Sequence, residues 1–307
     1  MKMVEITASM VKELREKSGA AMMDCKRALV EASGDFEKAF EWLRQKGIAV
    51  ASKKSSRVAS EGLIVGQISA DGKLGALIEV NCETDFVARN DAFVALTKIA
   101  TEIALKEKPA DLTALLSAHT SAGTFQEEIA GAIAKTGENI VLRRYAILDV
   151  ASGSGSGHGL VGLYVHALGG KMGALVQIEA SKPIEHDKLA AFAREIAMHI
   201  VSAKPQYLSR DDVPKEVVEN ERRIESGKAD LADKKPEIRD KIVNGRLDKL
   251  FGERCLTDQP FVKDPAMTIG KVMQQKGTEL GVELKPTRFN LFILGEEIAT
   301  KNGSDSE

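Results

Sequence analysis

The sequence predicts an α+β protein. Its expected parts are an N-terminal three-helix domain, a duplicated core of antiparallel hairpins plus helices, a projecting antiparallel helical hairpin and a short C-terminal module. Three observations predict it. Apolar residues recur at helical spacing over the first ~50 residues, then give way to strand-like runs. Short motifs recur at an offset of about 97–98 residues. After Pro205 the chain becomes charged, with narrow apolar seams.

Met10, Val11 and Leu14 share a helical face behind Thr7 and Ser9, residue types that cap helices. Gly19 is a natural stop, because glycine tolerates the left-handed conformation that ends a helix. A second helix is expected from Met22 to Ala32, ended by Gly34. Asp35 suits the cap of a third, whose Phe36, Ala39, Phe40 and Leu43 form one apolar stripe and which Gly47 is expected to close. The unit spans 1–55, near the lower size limit for independent folding. Lys53-Lys54-Ser55-Ser56-Arg57 reads as a solvated linker.

Leu63, Ile64, Val65 and Ile68 form a strand-like run, Asp71-Gly72 a hairpin turn, and Leu74–Asn81 the returning strand. Helical spacing follows from Asp91 through Phe93, Leu96, Ile99 and Ile103, then near Leu112–Leu116 and Phe125–Ala134; Ile140–Val150 reads as a strand. These elements make an N-terminal core half, 56–147. Gly62-Leu63-Ile64-Val65-Gly66 is echoed by Gly159-Leu160-Val161-Gly162, and Gly75-Ala76-Leu77-Ile78 by Gly173-Ala174-Leu175-Val176. Ile99-Ala100 with Ile103 is echoed by Ile196-Ala197 with Ile200. A fixed offset with turns in matching places implies a second hairpin-plus-helix half at 148–204, completed by about 245–264. Val213, Val217, Val218 and Ile224, then Ile238, Ile242, Leu247 and Leu250, mark two charged helices broken between Gly227 and Pro236, an arm at 205–244. The module at 265–307 holds a short helix after Pro265, a strand at Arg288–Leu294 and a polar tail from Lys301 expected to be disordered.

Composition removes several function classes. The 307 residues carry 43 Lys and Arg against 45 Asp and Glu, without the basic excess of a nucleic-acid binder, and aromatics are only 5%, too few for a base-stacking surface. No apolar run is long enough to span a bilayer, and Lys2, Glu5, Lys12 and Glu13 interrupt any signal peptide. Cys25, Cys82 and Cys255 read as reduced thiols, so a cytoplasmic protein is expected. No catalytic constellation, cofactor or metal site emerges. The Gly153–Gly159 stretch leads into a strand rather than a helix, so it reads as a flexible loop rather than a dinucleotide site. Gly169-Gly170-Lys171 is followed by Met172 and lacks a Gly at position 165, so the phosphate-loop pattern fails. The histidines at 119, 158, 166, 186 and 199 show no metal spacing, and His199 reads as a core or boundary residue.

One segment stands apart. Glu79-Val80-Asn81-Cys82-Glu83-Thr84-Asp85-Phe86-Val87-Ala88-Arg89-Asn90 leaves a strand and enters a helix. Two readings stand. In one, Thr84 or Asp85 caps the coming helix and Phe86 staples onto its apolar face. In the other, an acid beside a large aromatic on a connection forms a protein-binding wedge, since aromatics are frequent interface anchors.

This segment resembles the second signature of the bacterial elongation factor Ts family. Leu14-Arg15-Glu16-Lys17-Ser18-Gly19-Ala20-Ala21-Met22-Met23-Asp24-Cys25-Lys26-Arg27-Ala28-Leu29 resembles the first signature, with Ser18 where Thr is usual and Ala21 where Gly or Ser is expected. Leu256-Thr257-Asp258-Gln259-Pro260-Phe261-Val262 resembles another stretch, and the order of parts is similar over nearly the whole chain. The resemblance implies a guanine nucleotide exchange factor for the GTPase elongation factor Tu, with no reaction catalysed and no cofactor. It implies an N-terminal domain similar to ubiquitin-associated domains, gripping the GTPase domain together with the C-terminal module. It further implies that Thr84, Asp85, Phe86 and Val87 intrude near the partner's magnesium site. Arg15, Met22 and Met23 match contact positions on the GTPase domain, His166 matches a contact with a different domain, and Val262 a further contact, followed by Lys263 where a relative has Met. On the residues alone, the Met pair suits an adaptable contact or core packing equally, and His166 a contact or an exposed strand end. The family's helical hairpin is a coiled-coil or dimerisation element, which admits a homodimer and a 2:2 complex; neither nucleic acid nor membrane is an expected partner. A second reading from another class is a structural module that scaffolds partners without altering any nucleotide.

Overall fold

The computed structural model describes residues 6–18, 20, 22–152, 157–167 and 169–297. The expected stop at Gly19, most of the Gly/Ser loop and the polar tail from Lys301 lie outside the described residues. Helices α1 (Ala8–Ser18), α2 (Met22–Glu31) and α3 (Phe36–Lys54) form the N-terminal bundle. The Thr7 hydroxyl accepts from Met10 N at 3.3 Å, and Asp35 accepts from Lys38 N at 3.0 Å. Gly34 ends α2 at φ 82°, donating to Leu29 O at 2.8 Å. Val11, Leu14, Cys25, Ala28, Leu29 and Ala39 make the bundle's own core.

Gly47 does not close α3, which continues to Lys54 and takes in the start of the expected linker. Tertiary packing overrides the weak helix preference of glycine here. Gly47 faces the backbone of Ala130, Ala51 packs against the first core half, Arg44 pairs with Glu127, and Lys54 donates to Gly137 O.

The core begins with β1 (Glu61–Ile68) and β2 (Leu74–Cys82), an antiparallel hairpin turned at Gly72. The chain then forms the single-turn α4 (Asp85–Ala88), α5 (Asp91–Glu107) and α6 (Leu112–Ser117). The small β3 (His119–Thr120) and β4 (Gly123–Thr124) ribbon leads to α7 (Phe125–Thr136) and β5 (Val141–Asp149). The second half repeats the hairpin as β6 (Gly159–Val165) and β7 (Met172–Ala180), followed by α8 (His186–Ala203). Helices α9 (Lys215–Ser226) and α10 (Pro236–Arg254) form the arm. The chain closes with β8 (Pro260–Phe261), β9 (Asp264–Thr268), α11 (Ile269–Leu280) and β10 (Leu284–Ile293).

Two antiparallel three-stranded sheets result, ordered β1-β2-β5 and β10-β7-β6. The side-chain period of two divides each central strand between two faces. Ala76, Ile78, Val80 and Cys82 turn toward α5 and α7, while Ala174, Val176, Ile178 and Ala180 turn toward α8 and α11. Leu77 and Leu175 point the other way, where Ile64, Leu148, Val161 and Phe292 join them in a seam between the sheets. The layers therefore run helix, sheet, sheet, helix. This is why β2 is buried along almost its entire length instead of alternating.

The likeness between the two hairpins reaches backbone detail. Gly62 and Gly159 adopt φ 142° and 131°, and a Cβ at either would run into the carbonyl of Val80 or Ile178 on the neighbouring strand. Helices α5 and α8 both end on a left-handed lysine, Lys108 at φ 47° and Lys204 at φ 48°, each followed by a proline. The two sheets are stitched by the buried Glu79 carboxylate, which accepts from Arg144 Nε at 2.6 Å and Gly295 N at 3.1 Å; Arg144 also donates to Ile293 O at 3.0 Å.

The arm is antiparallel, with Glu221 opposite Arg254 and Glu225 opposite Arg246. Val213, Leu231, Val243, Leu247, Phe251 and Cys255 give it a separate small core. Helix α10 extends past residue 244 to Arg254 because Leu247 and Phe251 continue that seam. In the final segment the helix begins at Ile269, after β9 rather than directly after Pro265, and β10 starts at Leu284, earlier than the expected Arg288. Strand β10 pairs along β7 and α11 packs into the α8 core, so 265–297 builds into the second core half.

Candidate functional site

Strand β2 delivers the site. Its last residue, Cys82, is fully buried, and its thiol donates to Thr84 O at 3.1 Å. Burial, followed by the nearby Glu138 carboxylate, pushes that thiol up to about 12, so the sulfur stays protonated and serves as a donor rather than a nucleophile. Thr84 then caps α4, its hydroxyl accepting from Val87 N at 3.4 Å. The four-residue α4 is a single turn that the periodicity did not predict; Asn90 caps the longer α5 one residue after Arg89.

The turn is held from across the sheet by the residues that follow α7. The Glu138 carboxylate accepts from Glu83 N at 3.1 Å, Thr84 N at 3.0 Å and the Thr84 hydroxyl at 2.6 Å. Glu83 reciprocates, accepting from Asn139 N at 2.7 Å, and it lies 3.5 Å from Arg57. Asn139 in turn donates its side-chain amide to Arg57 O at 2.8 Å. The turn is therefore tied both to the α7–β5 connection and to the segment leaving the N-terminal bundle.

Phe86 projects from this braced turn with 81% of its surface exposed. The staple reading fails for it, while the capping half of that reading holds for Thr84. Val87 faces the other way, half-buried against the first core half, and anchors α4. Asp85 is half-exposed and pairs with Arg89 at 2.7 Å. Thr84, Asp85, Phe86 and Val87 thus form one unit, a carboxylate and a bare aromatic ring over a fixed base.

The other candidates lie on separate elements. Arg15 is exposed on α1, and Met22 and Met23 open α2 at 50% and 69% exposure, outside the bundle core. His166 sits half-buried at the end of β6, its Nδ1 3.2 Å from the Tyr164 hydroxyl. Val262 occupies the β8–β9 turn, 39% exposed, and its N–H donates to Nδ1 of the buried His199 at 3.3 Å. His199 Nε2 lies 3.0 Å from Gln259 Oε1, whose amide group is fixed by Ala203 O and Glu253 O. Burial holds His199 below the ordinary histidine value, against the opposing Gln259 bond, so the ring is neutral. Among the described residues no group of three or more His, Cys, Asp or Glu is arranged to hold a metal, and no helix is long and apolar enough to cross a membrane.

The sequence reading missed Glu138 and Asn139. Gly137 marks them only as a helix end, and nothing local connects them to residues 83 and 84. A family model described as Elongation factor TS matches residues 83–296. A relative named elongation factor Ts from Syntrophotalea carbinolica is 46% identical over 301 residues, covering 97% of this chain and 96% of its own. Those from Nostoc punctiforme and Symbiobacterium thermophilum, with the same name, are 44% and 41% identical over 300 and 307 residues; they cover 96% and 99% of this chain, and 94% and 97% of their own.

The chain belongs to the elongation factor Ts family.

It is thus a translation elongation factor. The elongation factor Ts match opens on Glu83, where the braced turn begins, and closes on Glu296, which pairs with Arg144 beside Glu79 at 2.8 Å.

Proposed function

We propose that this chain binds elongation factor Tu in its GDP state, disrupts the Mg²⁺-nucleotide site and stimulates GDP release and replacement by GTP. The exposed Phe86 ring on its braced turn carries this reading. Bound GDP is held by a phosphate loop and by an ion that offsets phosphate charge. A factor that binds the GTPase with that ion site distorted must weaken nucleotide binding, and by linkage nucleotide must weaken the factor equally. No covalent bond is made or broken by the factor.

Phe86 acts as the wedge and Asp85 perturbs the field around the ion, with Thr84 and Val87 fixing the base. Each tenfold loss of nucleotide affinity requires about 1.4 kcal/mol of coupling, so one ring is insufficient for fast exchange. Arg15, Met22, Met23, His166 and Val262 supply separate footholds; the exposed methionines favour the contact role over core packing. In this reading 1–55 is a ubiquitin-associated-like docking domain and 56–147 carries the wedge. The segments 148–204, about 245–264 and 265–307 brace it, while the coiled-coil-type arm around 205–244 serves assembly, including a 2:2 complex. The site of action is the cytoplasm, with neither nucleic acid nor membrane as a direct partner.

The test is release of fluorescent GDP from elongation factor Tu on adding substoichiometric chain. Acceleration that rises with factor concentration, together with dissociation of the complex by excess Mg²⁺-GDP, is expected. A chain that binds without accelerating release would instead be a scaffold, and the exchange reading would fall.

A further inference from the structure

We propose that Glu138 is the positioning residue of the wedge: its carboxylate holds residues 83 and 84 so that Phe86 is presented outward in a fixed direction. The proposal deepens the exchange reading and rests on it for the role of Phe86.

A four-residue helix cannot hold its own shape. Helix nucleation fixes several residues for one hydrogen bond, and isolated single turns are unstable in water. The i to i+4 backbone bonds of α4, Ala88 N to Thr84 O and Arg89 N to Asp85 O, are both 3.2 Å, and the cap bond to Val87 N is 3.4 Å. The shortest bond on the turn comes from outside it, the 2.6 Å contact between the Thr84 hydroxyl and Glu138. The same carboxylate takes the N–H groups of Glu83 and Thr84, which precede the helix and have no strand partner in the β2 register. Carboxylate acceptors form the stronger class of hydrogen bonds, and one that gathers three donors fixes direction as well as position.

The direction matters because Phe86 has almost nothing of its own to lean on, being 81% exposed. Its neighbours Val87 and Ala88 seat α4 against the core, but both follow Phe86 in the chain, and the entry to the turn at residues 83 and 84 is held from elsewhere. Glu138 supplies the second point. It is itself fixed, because it follows the left-handed cap Gly137 and precedes Asn139, which donates to Glu83 and Arg57 O. An interface side chain held before contact loses less freedom on binding. A wedge freed from Glu138 reaches the partner equally often, but in the wrong orientation to open the ion site.

Glu138→Ala is therefore expected to lower the maximal rate of stimulated GDP release by roughly tenfold to a hundredfold, the range for losing hydrogen bonds to a charged acceptor. The KM for elongation factor Tu·GDP stays within about threefold, because the remote footholds are untouched. In a Phe86→Ala background the same change adds nothing, since a positioning residue has no effect once the positioned ring is gone. Glu138→Gln keeps the shape and an acceptor for the two amides, and recovers most of the rate. Losses that multiply in the double variant, an unchanged rate in Glu138→Ala, or a Gln variant as poor as Ala would each overturn the proposal. If Glu138→Ala does not fold, Thr84→Val removes the shortest bond together with the cap to Val87 N, and enters the same cycle with Phe86→Ala. Amide hydrogen exchange separates this proposal from the exchange reading. Glu83 and Thr84 must lose protection in the Glu138 variant without any partner present; retained protection refutes the brace even if the factor is active, and lost protection with an inactive wild-type chain refutes the exchange reading instead.

Discussion

Replacing Phe86 with Ala separates function from folding more cleanly than any other change. The ring is 81% exposed, so about one fifth of its surface is covered in the free protein. A Phe side chain carries roughly 200 Å² in all. The covered part is then ~40 Å², or about 1 kcal/mol at 25 cal/mol per Å². Alanine's better helix propensity offsets part of that within α4. If the partner buries the remaining ~160 Å², the ring contributes about 4 kcal/mol to the distorted complex. At 1.4 kcal/mol per decade, that is an upper bound near a thousandfold in stimulated release. The assay is stopped-flow release of fluorescent GDP from elongation factor Tu, paired with urea unfolding of the free variant. A Phe86→Ala chain that unfolds near the wild-type midpoint yet releases GDP as fast as wild type would refute the wedge.

Gly62→Ala and Gly159→Ala should each destabilise by at least ~2 kcal/mol, because both positions need a φ that side chains avoid and both abut a neighbouring strand's carbonyl; comparable drops in urea midpoint are expected, and a harmless change at either would break the equivalence of the two halves. Glu79→Ala leaves Arg144 without its buried partner and should cost about 3 kcal/mol, read by the same unfolding curves. His199 is held below its ordinary value of 6.5, so the unfolded chain binds the proton more readily than the folded one. Stability from this group is full above about pH 6.5 and is lost as pH falls toward the folded value. Thermal melts across pH 8 to about pH 5 should show that slope in the wild type and a shallower one in His199→Phe.

The three-helix bundle, both hairpins and the likeness between those hairpins were legible because each leaves a local mark: the caps at Thr7 and Asp35, the turn at Gly72, and the recurring glycines at 62 and 159. What tertiary contact decides was not. Gly47 looks like a stop, yet α3 runs through it because its far half lies on α7. Strand β10 carries no sign that it belongs beside β7, since that pairing spans a long stretch of chain and depends on neither neighbour's pattern. The site divides in the same way. Phe86 beside Asp85 could be read directly, with its exposure left open, and only the folded backbone decided between staple and wedge. Glu138 was invisible, because a carboxylate reaching two backbone amides leaves no periodicity. The bond from Val262 to His199 was hidden for the same reason.

The placement of β10 also sets an order of events during synthesis. The first sheet has all three of its strands once Asp149 has left the ribosome, and it can close with α5 and α7 while the rest is still being made. The second sheet holds only a hairpin until Leu284–Ile293 emerges, after the whole arm has been translated. In the interval one edge of β7 stays unpaired, an open template for wrong partners, so the nascent chain is most vulnerable to aggregation in its later half.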